Sequence, residues 1–204
     1  VLGKLGDSYI LSSESCGLDI IGANLIRDVE PGEILIIKNS KIDSIKPFKK
    51  TYLKPCLFEY IYFSRPDSIL EGRNVYDVRK NIGHQLAAEN PKDNKIIDVV
   101  IPIPDSGNAS ALGYSEKIKK PFEFGIIRNH YTGRTFIEDS ISVRNLSVKL
   151  KHNPNILSFK DKSVALVDDS IVRGTTSVKI VEMLRNCGVK NVHMRIASPP
   201  VKYP

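Results

Sequence analysis

Asp168 and Asp169 stand side by side at the end of an apolar run, Val164-Ala165-Leu166-Val167, and are followed at once by Ser170-Ile171-Val172-Arg173-Gly174-Thr175-Thr176. Adjacent carboxylates repel each other, so this arrangement calls for a ligand that wants anions on one side and N–H and O–H donors on the other. If residues 164–167 form a strand, the carboxylates lie at its carboxyl end, where open α/β sheets bind ligands. The loop that follows, and the first turn of a helix starting near Thr175 or Thr176, would present backbone N–H groups with partial positive charge. Gly174 permits close approach, and the Ser and Thr hydroxyls add donors. Such a pocket suits a monophosphate. The carboxylates cannot serve the phosphate, but they can accept hydrogen bonds from a vicinal diol or hold a metal by way of water. Diol and phosphate together describe a ribose 5-phosphate. The bland alternative, a helix cap beside a solvated neighbour, accounts for the two Asp residues but not for the apolar run before them and the Ser-to-Thr loop after them. No Gly-Lys-Ser/Thr follows the loop, so a nucleoside-triphosphatase reading fails.

A second turn repeats the logic. Ile101-Pro102-Ile103-Pro104 runs into Asp105-Ser106-Gly107 and then a helical pattern, so backbone amides at another helix start could meet a second anion. An ordinary strand-to-helix turn with Ser106 as cap is the alternative, weakened by the presence of two phosphate-ready turns in one sheet. Between the two turns, residues 126–153 are long, basic and polar, with Gly133 inside. The segment is too polar to bury and too long for an ordinary connection. It could close over a polyanion and exclude water, or be a solvated basic loop.

The surrounding pattern supplies the scaffold. "KIIDVVIPIP", "FEFGIIRN", "KDKSVALVDD" and "NVHMRIASPP" read as strands, and "NVYDVRKNIGHQLAAENP", "GNASALGYSEKIKK" and "TTSVKIVEMLRNCG" as helices. In the last, Ile180, Val181, Leu184 and Cys187 share a face and Gly188 is the stop. Strand and helix taking turns predict an α/β fold with a doubly wound, mostly parallel sheet. The first residues differ: "DSYILSSES" is a strand candidate, and "EPGEILIIKNSKIDSI" is a hairpin candidate turning at Asn39-Ser40. Such a meander is too small to stand alone. The expected division is 1–50 as the end of a β-rich domain, 51–73 as a connector that packs down, and 74–204 as the α/β domain.

With 204 residues, 41% of them apolar, the chain can bury a core. A net charge of +7 suits a phosphorylated small molecule as well as nucleic acid or membrane. No block of five or more like charges occurs and no basic stripe interleaves with aromatics, so no nucleic-acid partner is expected. No run of about 18 apolar residues exists, so no membrane span is expected. Cys16, Cys56 and Cys187 lie far apart without a CxxC, which predicts a reducing, cytoplasmic setting. Cys16, in a strand-like context, and Cys187 are expected to be buried apolar thiols. Val1 at one end and "SPPVKYP" at the other predict a piece of something longer.

"VALVDDSIVRGTT" resembles the phosphoribosyl-pyrophosphate (PRPP) signature of type I phosphoribosyltransferases, and within them the glutamine PRPP amidotransferases. "GDSYILSSESCGLDIIGANLIRDVEPGE" is similar to the end of that family's N-terminal-nucleophile glutaminase domain. "FEYIYFSRPDS", "PIPDSGNASALGY", "RNHYTGRTFI" and "IASPPVKYP" are similar to successive segments of its transferase part. The resemblance implies transfer of phosphoribosyl from PRPP to glutamine-derived ammonia, opening purine synthesis, in a homo-oligomer (dimer or tetramer). It implies that Asp105, Ser106, Gly107, Asp168, Asp169, Ser170, Val172, Arg173, Gly174, Thr175 and Thr176 bind PRPP, with Ser106, Asp168 and Asp169 near its Mg²⁺. It implies a flexible loop in which Arg128, Arg134 and Lys149 face phosphate or leaving pyrophosphate. Where the family usually has Lys-Asn-Arg, this chain has Arg128-Asn129-His130, so the fixed cation at the third place is lost. Cys56 matches the spacing of one ligand of a [4Fe–4S] cluster, the others falling beyond Pro204. The family's glutaminase nucleophile is an N-terminal Cys, and Val1 stands at the start of this chain, so only the ammonia-dependent reaction is expected of it. A salvage-type base phosphoribosyltransferase and a PRPP-sensing, DNA-binding regulator are the alternatives. The first lacks a use for the glutaminase-like stretch, and the second would be expected to add a helix-turn-helix.

Overall fold

The structure, a computed structural model, describes residues 1–49, 52–89, 91–129 and 152–200. The chain divides into two compact units, Val1–Val78 and Arg79–Pro204.

In the first unit, β1 (Leu2–Leu5), β2 (Ser8–Leu11) and β3 (Asn24–Arg27) form an antiparallel sheet in the order β2-β1-β3, with α1 (Cys16–Ile20) between β2 and β3. Cys16 is buried as expected, but it opens a helix rather than lying in a strand. Its Ser-Glu-Ser lead-in supplies the reason: the Glu14 carboxylate accepts from the Arg65 amide and the Ser68 hydroxyl, and Ser15 Oγ accepts from the Ile69 amide. The hairpin β4 (Ile34–Lys38) and β5 (Lys41–Ile45) turns at Asn39 and Ser40, both at positive φ, as its sequence predicts. Glu33 takes Arg27 through both carboxylate oxygens, at 2.8 and 2.6 Å, and also the Ser44 hydroxyl, which holds its carboxyl well below the usual range. The aromatic run Glu59–Phe63 winds as a π-helical turn, and β6 (Ile69–Leu70) and β7 (Arg73–Asn74) close a short hairpin before α2 (Val75–Glu89).

In the second unit, β8 (Val99–Pro102) leads to α3 (Asn108–Ile118), β9 (Ile126–Arg128), β10 (His152–Pro154), β11 (Ser163–Asp168), α4 (Thr175–Asn186) and β12 (Asn191–Ile196). β12, β11 and β8 form a parallel sheet with β11 in the middle. Burial on both faces explains why β11 reads as one apolar run instead of alternating. Val164 and Leu166 join Val99, Ile101, Ile180 and Leu184 on one face, while Ala165 and Val167 join Val100, Ala111 and Tyr114 on the other. Helices thus cover both faces, as the alternating pattern predicts. Gly83 and Gly113 let the later part of α2 approach α3: a Cβ on Gly83 would stand 2.0 Å from the Ser110 carbonyl.

The expected strand "FEFGIIRN" divides. Phe122 makes a single parallel bridge to Val100, and Ile126–Arg128 turns away to pair antiparallel with His152–Pro154. A Cβ on Gly125 would stand 2.3 Å from Ile101 Cδ1, so the bend between the two pieces needs glycine. Arg128 pairs with His152, bringing together the two ends of the long basic segment.

Candidate functional site

β11, buried from end to end, delivers Asp168 and Asp169 to its carboxyl end, where they are 8% and 6% exposed. Asp168 Oδ1 accepts the Asp169 amide at 2.9 Å, and Asp169 Oδ1 accepts the Ser170 hydroxyl at 3.0 Å. Asp169 Oδ2 is buried and meets no partner among the described residues. Leaving such an acceptor unmatched costs about 1–3 kcal/mol, so the oxygen suits a diol or a hydrated cation. Burial, and then the neighbouring Asp169 charge, pushes the Asp168 carboxyl up to about 7. The two main-chain carbonyls accept from Ala197 and Ser198, which extends the β11–β12 pairing and holds the carboxylates in place.

Past the carboxylates the chain emerges. Ile171 and Arg173 are exposed and Val172 is 88% exposed. Gly174 takes φ +72°, a left-handed turn that costs a side-chain-bearing residue about 1–2 kcal/mol. It is the N-cap of α4, and no side chain caps the helix, so the amides of its first turn are left to other acceptors. Thr175 and Thr176 begin that turn, both exposed. Amides, hydroxyls and the helix dipole together could seat an anion.

The second turn is stitched to the same place. The Ile103 amide donates to the Val167 carbonyl at 2.8 Å, and the Gly107 amide folds back to the Ile103 carbonyl at 3.0 Å. A Cβ on Gly107 would stand 2.6 Å from the Val167 carbonyl oxygen, so glycine is required for α3 to start this close to β11. The Pro104–Asp105 peptide is cis. The amides of Asp105 and Ser106 have no acceptor among the described residues, and α3 also has no side-chain cap. Asn108 Oδ1 is buried with no partner among them. Asp105 is exposed, and its carboxylate binds Arg128 Nη1 at 2.5 Å.

Asp105, Ser106 and Gly107 therefore adjoin Asp168 and Asp169 through Val167, with Ser170, Val172, Arg173, Gly174, Thr175 and Thr176 on the loop that follows. Arg128 joins them through Asp105. Arg134, His130 and Lys149 lie outside the described residues. Asn108 and the Arg128–Asp105 pair were not found by reading the sequence. An Asn directly after an anion-ready turn is a weak signal, and the ion pair joins residues 23 apart. Among the described residues no group of three His, Cys, Asp or Glu could hold a metal. Mg²⁺ asks for less: one or two carboxylates, with water and phosphate supplying the rest, and the unmatched Asp169 oxygen fits that demand. Cys56 is exposed, Cys16 buried and Cys187 half-buried. No helix among the described residues is long and apolar enough to cross a membrane.

Residues 67–198 match the phosphoribosyl transferase domain family. The chain is 54% identical to an amidophosphoribosyltransferase of Rhizobium etli and 47% identical to one of Synechococcus elongatus, in each case over 100% of this chain and 42% of the relative. The chain thus spans less than half the length of the curated relatives it matches. Glutamine PRPP amidotransferase from B. subtilis, solved in complex with ADP and GMP, superimposes with a TM-score of 0.91 at 45% identity, covering 100% of this chain and 44% of that one. The match to that domain over residues 67–198, more than half of the chain, shows that this chain belongs to the phosphoribosyltransferase family.

Proposed function

We propose that this chain is the phosphoribosyltransferase part of an amidophosphoribosyltransferase, which makes 5-phosphoribosylamine and pyrophosphate from PRPP and glutamine-derived ammonia at the start of purine synthesis. The observation that carries the reading is the joining of two anion-ready turns to one pair of buried carboxylates: Asp168–Asp169 for the ribose diol, Gly174–Thr176 for the 5-phosphate, Asp105–Gly107 for the pyrophosphate. PRPP has those three parts, with the ribose diol between the 5-phosphate and the pyrophosphate. Ser170, Val172 and Arg173 complete the 5-phosphate loop.

The chemistry asks the protein for position and charge rather than for a nucleophile. The C1–O bond to pyrophosphate breaks with its electron pair leaving on oxygen, ammonia donates its lone pair to C1, and the new ammonium loses a proton to solvent. Arg128 meets the growing charge on pyrophosphate, as Arg134 does in the same reading. Ser106, Asp168 and Asp169 would hold Mg²⁺ with its waters, and the ion when bound offsets negative charge on the leaving pyrophosphate. The reading extends to the whole protein: 1–50 as the end of a glutaminase domain, 51–73 as a connector, 74–204 as the transferase domain, Cys56 as a ligand of a [4Fe–4S] cluster, and a cytoplasmic homo-oligomer.

Pyrophosphate release from Mg-PRPP tests it. Release that depends on ammonium and yields an amine-bearing phosphoribosyl product is expected. Release that ammonium does not support, but hypoxanthine, guanine or adenine does, would replace this reading with a salvage transferase.

A further inference from the structure

Arg128 and Asp105 form an ion pair whose place in the fold gives it a use. Arg128 ends β9 and Asp105 heads the turn into α3. Nη1 of the guanidinium contacts Asp105 Oδ2 at 2.5 Å, and the two side chains are 53% and 50% exposed. Neither side chain has another hydrogen-bonding or ion-pair partner among the described residues. The turn that Asp105 heads carries the unmatched amides of Asp105 and Ser106. A carboxylate at the mouth of an anion-binding turn works against the anion, and here it also engages a cation, Arg128.

We propose that the Asp105 carboxylate competes with pyrophosphate for Arg128, so that the ion pair opens as pyrophosphate takes the guanidinium and re-forms as pyrophosphate leaves. The inference rests on the assignment of the Asp105–Gly107 turn to pyrophosphate and deepens it. Half-exposed pairs contribute little stability, so this one opens easily and re-forms without holding the site shut. Arg suits such an exchange because its fork meets a carboxylate and a phosphate with the same geometry. Asp105 is then a positioning residue that acts through Arg128 and limits the affinity for product.

The test uses the full-length protein with Mg²⁺ present and measures the Kd of inorganic pyrophosphate and of ribose 5-phosphate. Asp105→Asn should tighten pyrophosphate roughly two- to five-fold, the range such a pair supports, and leave ribose 5-phosphate unchanged. Asp105→Glu, which keeps the competing charge, should stay near the parent value. In an Arg128→Gln background, Asp105→Asn should add no further tightening. Weaker pyrophosphate binding in Asp105→Asn would show the carboxylate to be a brace for Arg128 and overturn the proposal. Tightening that persists without Arg128 would reduce Asp105 to simple repulsion and overturn it too. Equal changes for both ligands would mean a general distortion and count against it. If the parent protein binds ribose 5-phosphate but not pyrophosphate, the assignment of the turn fails. If it binds neither, the PRPP reading itself fails.

Discussion

Gly107 lies against the main chain of Val167, the residue that precedes the paired carboxylates: a Cβ on Gly107 would stand 2.6 Å from the Val167 carbonyl oxygen and 2.8 Å from that of Ile103. Both obstacles are backbone, so neither can swing aside. Gly107→Ala must push α3 away from β11 and loosen the Ile103–Val167 hydrogen bond that joins the two turns. The expected cost is about 1–3 kcal/mol, read as a fall in Tm. Pyrophosphate affinity should fall with it, because the Asp105 and Ser106 amides move. A variant with the parent's Tm and pyrophosphate affinity would mean that the two turns are not rigidly coupled.

Asp169→Asn should weaken Mg-PRPP binding by about 1.5–3 kcal/mol, the value of a hydrogen bond to a charged group. The motive is the buried Asp169 Oδ2, which meets no partner among the described residues. Calorimetry with Mg-PRPP measures the loss. An unchanged affinity would remove Asp169 from the site.

The loop proposed for the 5-phosphate makes a separable prediction. Gly174→Ala faces a left-handed φ of +72° with open space around the new methyl, its nearest neighbour being Ile171 Cγ2 at 3.9 Å. The penalty is therefore conformational, about 1–2 kcal/mol, and shows as a re-formed loop rather than a broken core. Thr175→Val removes a hydroxyl at an exposed position and should leave stability unchanged. Both variants should lose affinity for ribose 5-phosphate and for PRPP alike, and neither should lose affinity for inorganic pyrophosphate. Retained ribose 5-phosphate binding in both would put the 5-phosphate elsewhere.

Much of this site was legible in the sequence, because local rules governed it. A parallel strand covered on both faces must be apolar throughout, so Val164–Val167 announced both the strand and the end at which Asp168 and Asp169 emerge. The turn at Asn39–Ser40 was legible for the same kind of reason: two residues that tolerate positive φ, between apolar runs. What escaped was set by tertiary contacts. Nothing local to Phe122–Arg128 says that its first residue bridges Val100 while its last three leave to pair with residues 152–154; that depends on Gly125 clearing Ile101. The partnership of Arg128 with Asp105 depends on the same departure. Cys16 went to a helix instead of a strand because Glu14 and Ser15 are used by Arg65, Ser68 and Ile69, far along the chain.

Cys56 is exposed, and this fits either a cluster ligand in the whole protein or a simple surface thiol. Iron and the visible absorbance of the purified full-length protein separate the two. Both should be present in the parent and lost in Cys56→Ser. A parent without iron would make Cys56 a surface thiol.

The last prediction concerns pH. The Asp168 carboxyl is raised to about 7, first by burial and then by the charge of Asp169, whereas in an unfolded chain it ionises near its ordinary value of about 3.9. Between those two values the unfolded state has released a proton that the folded state retains. Folding then carries a penalty that grows with pH, so the contribution of Asp168 to stability is fully present below about 4 and is lost as pH rises through about 7. Asp168→Asn cannot ionise and lacks this slope. Denaturant midpoints of the ligand-free protein, taken from pH 5 to 8 beside those of the variant, isolate the effect, since the other carboxylates titrate in both proteins. The variant should gain on the parent from pH 5 to about 7, and the difference should then level off. Asp169→Asn removes the second cause of the shift, so in that variant the window should move to lower pH. A cation that binds the ionised pair releases the same proton, so its affinity should rise with pH and level off above about 7. Parallel stability curves for the parent and Asp168→Asn would mean that Asp168 is already ionised in the folded protein at pH 5.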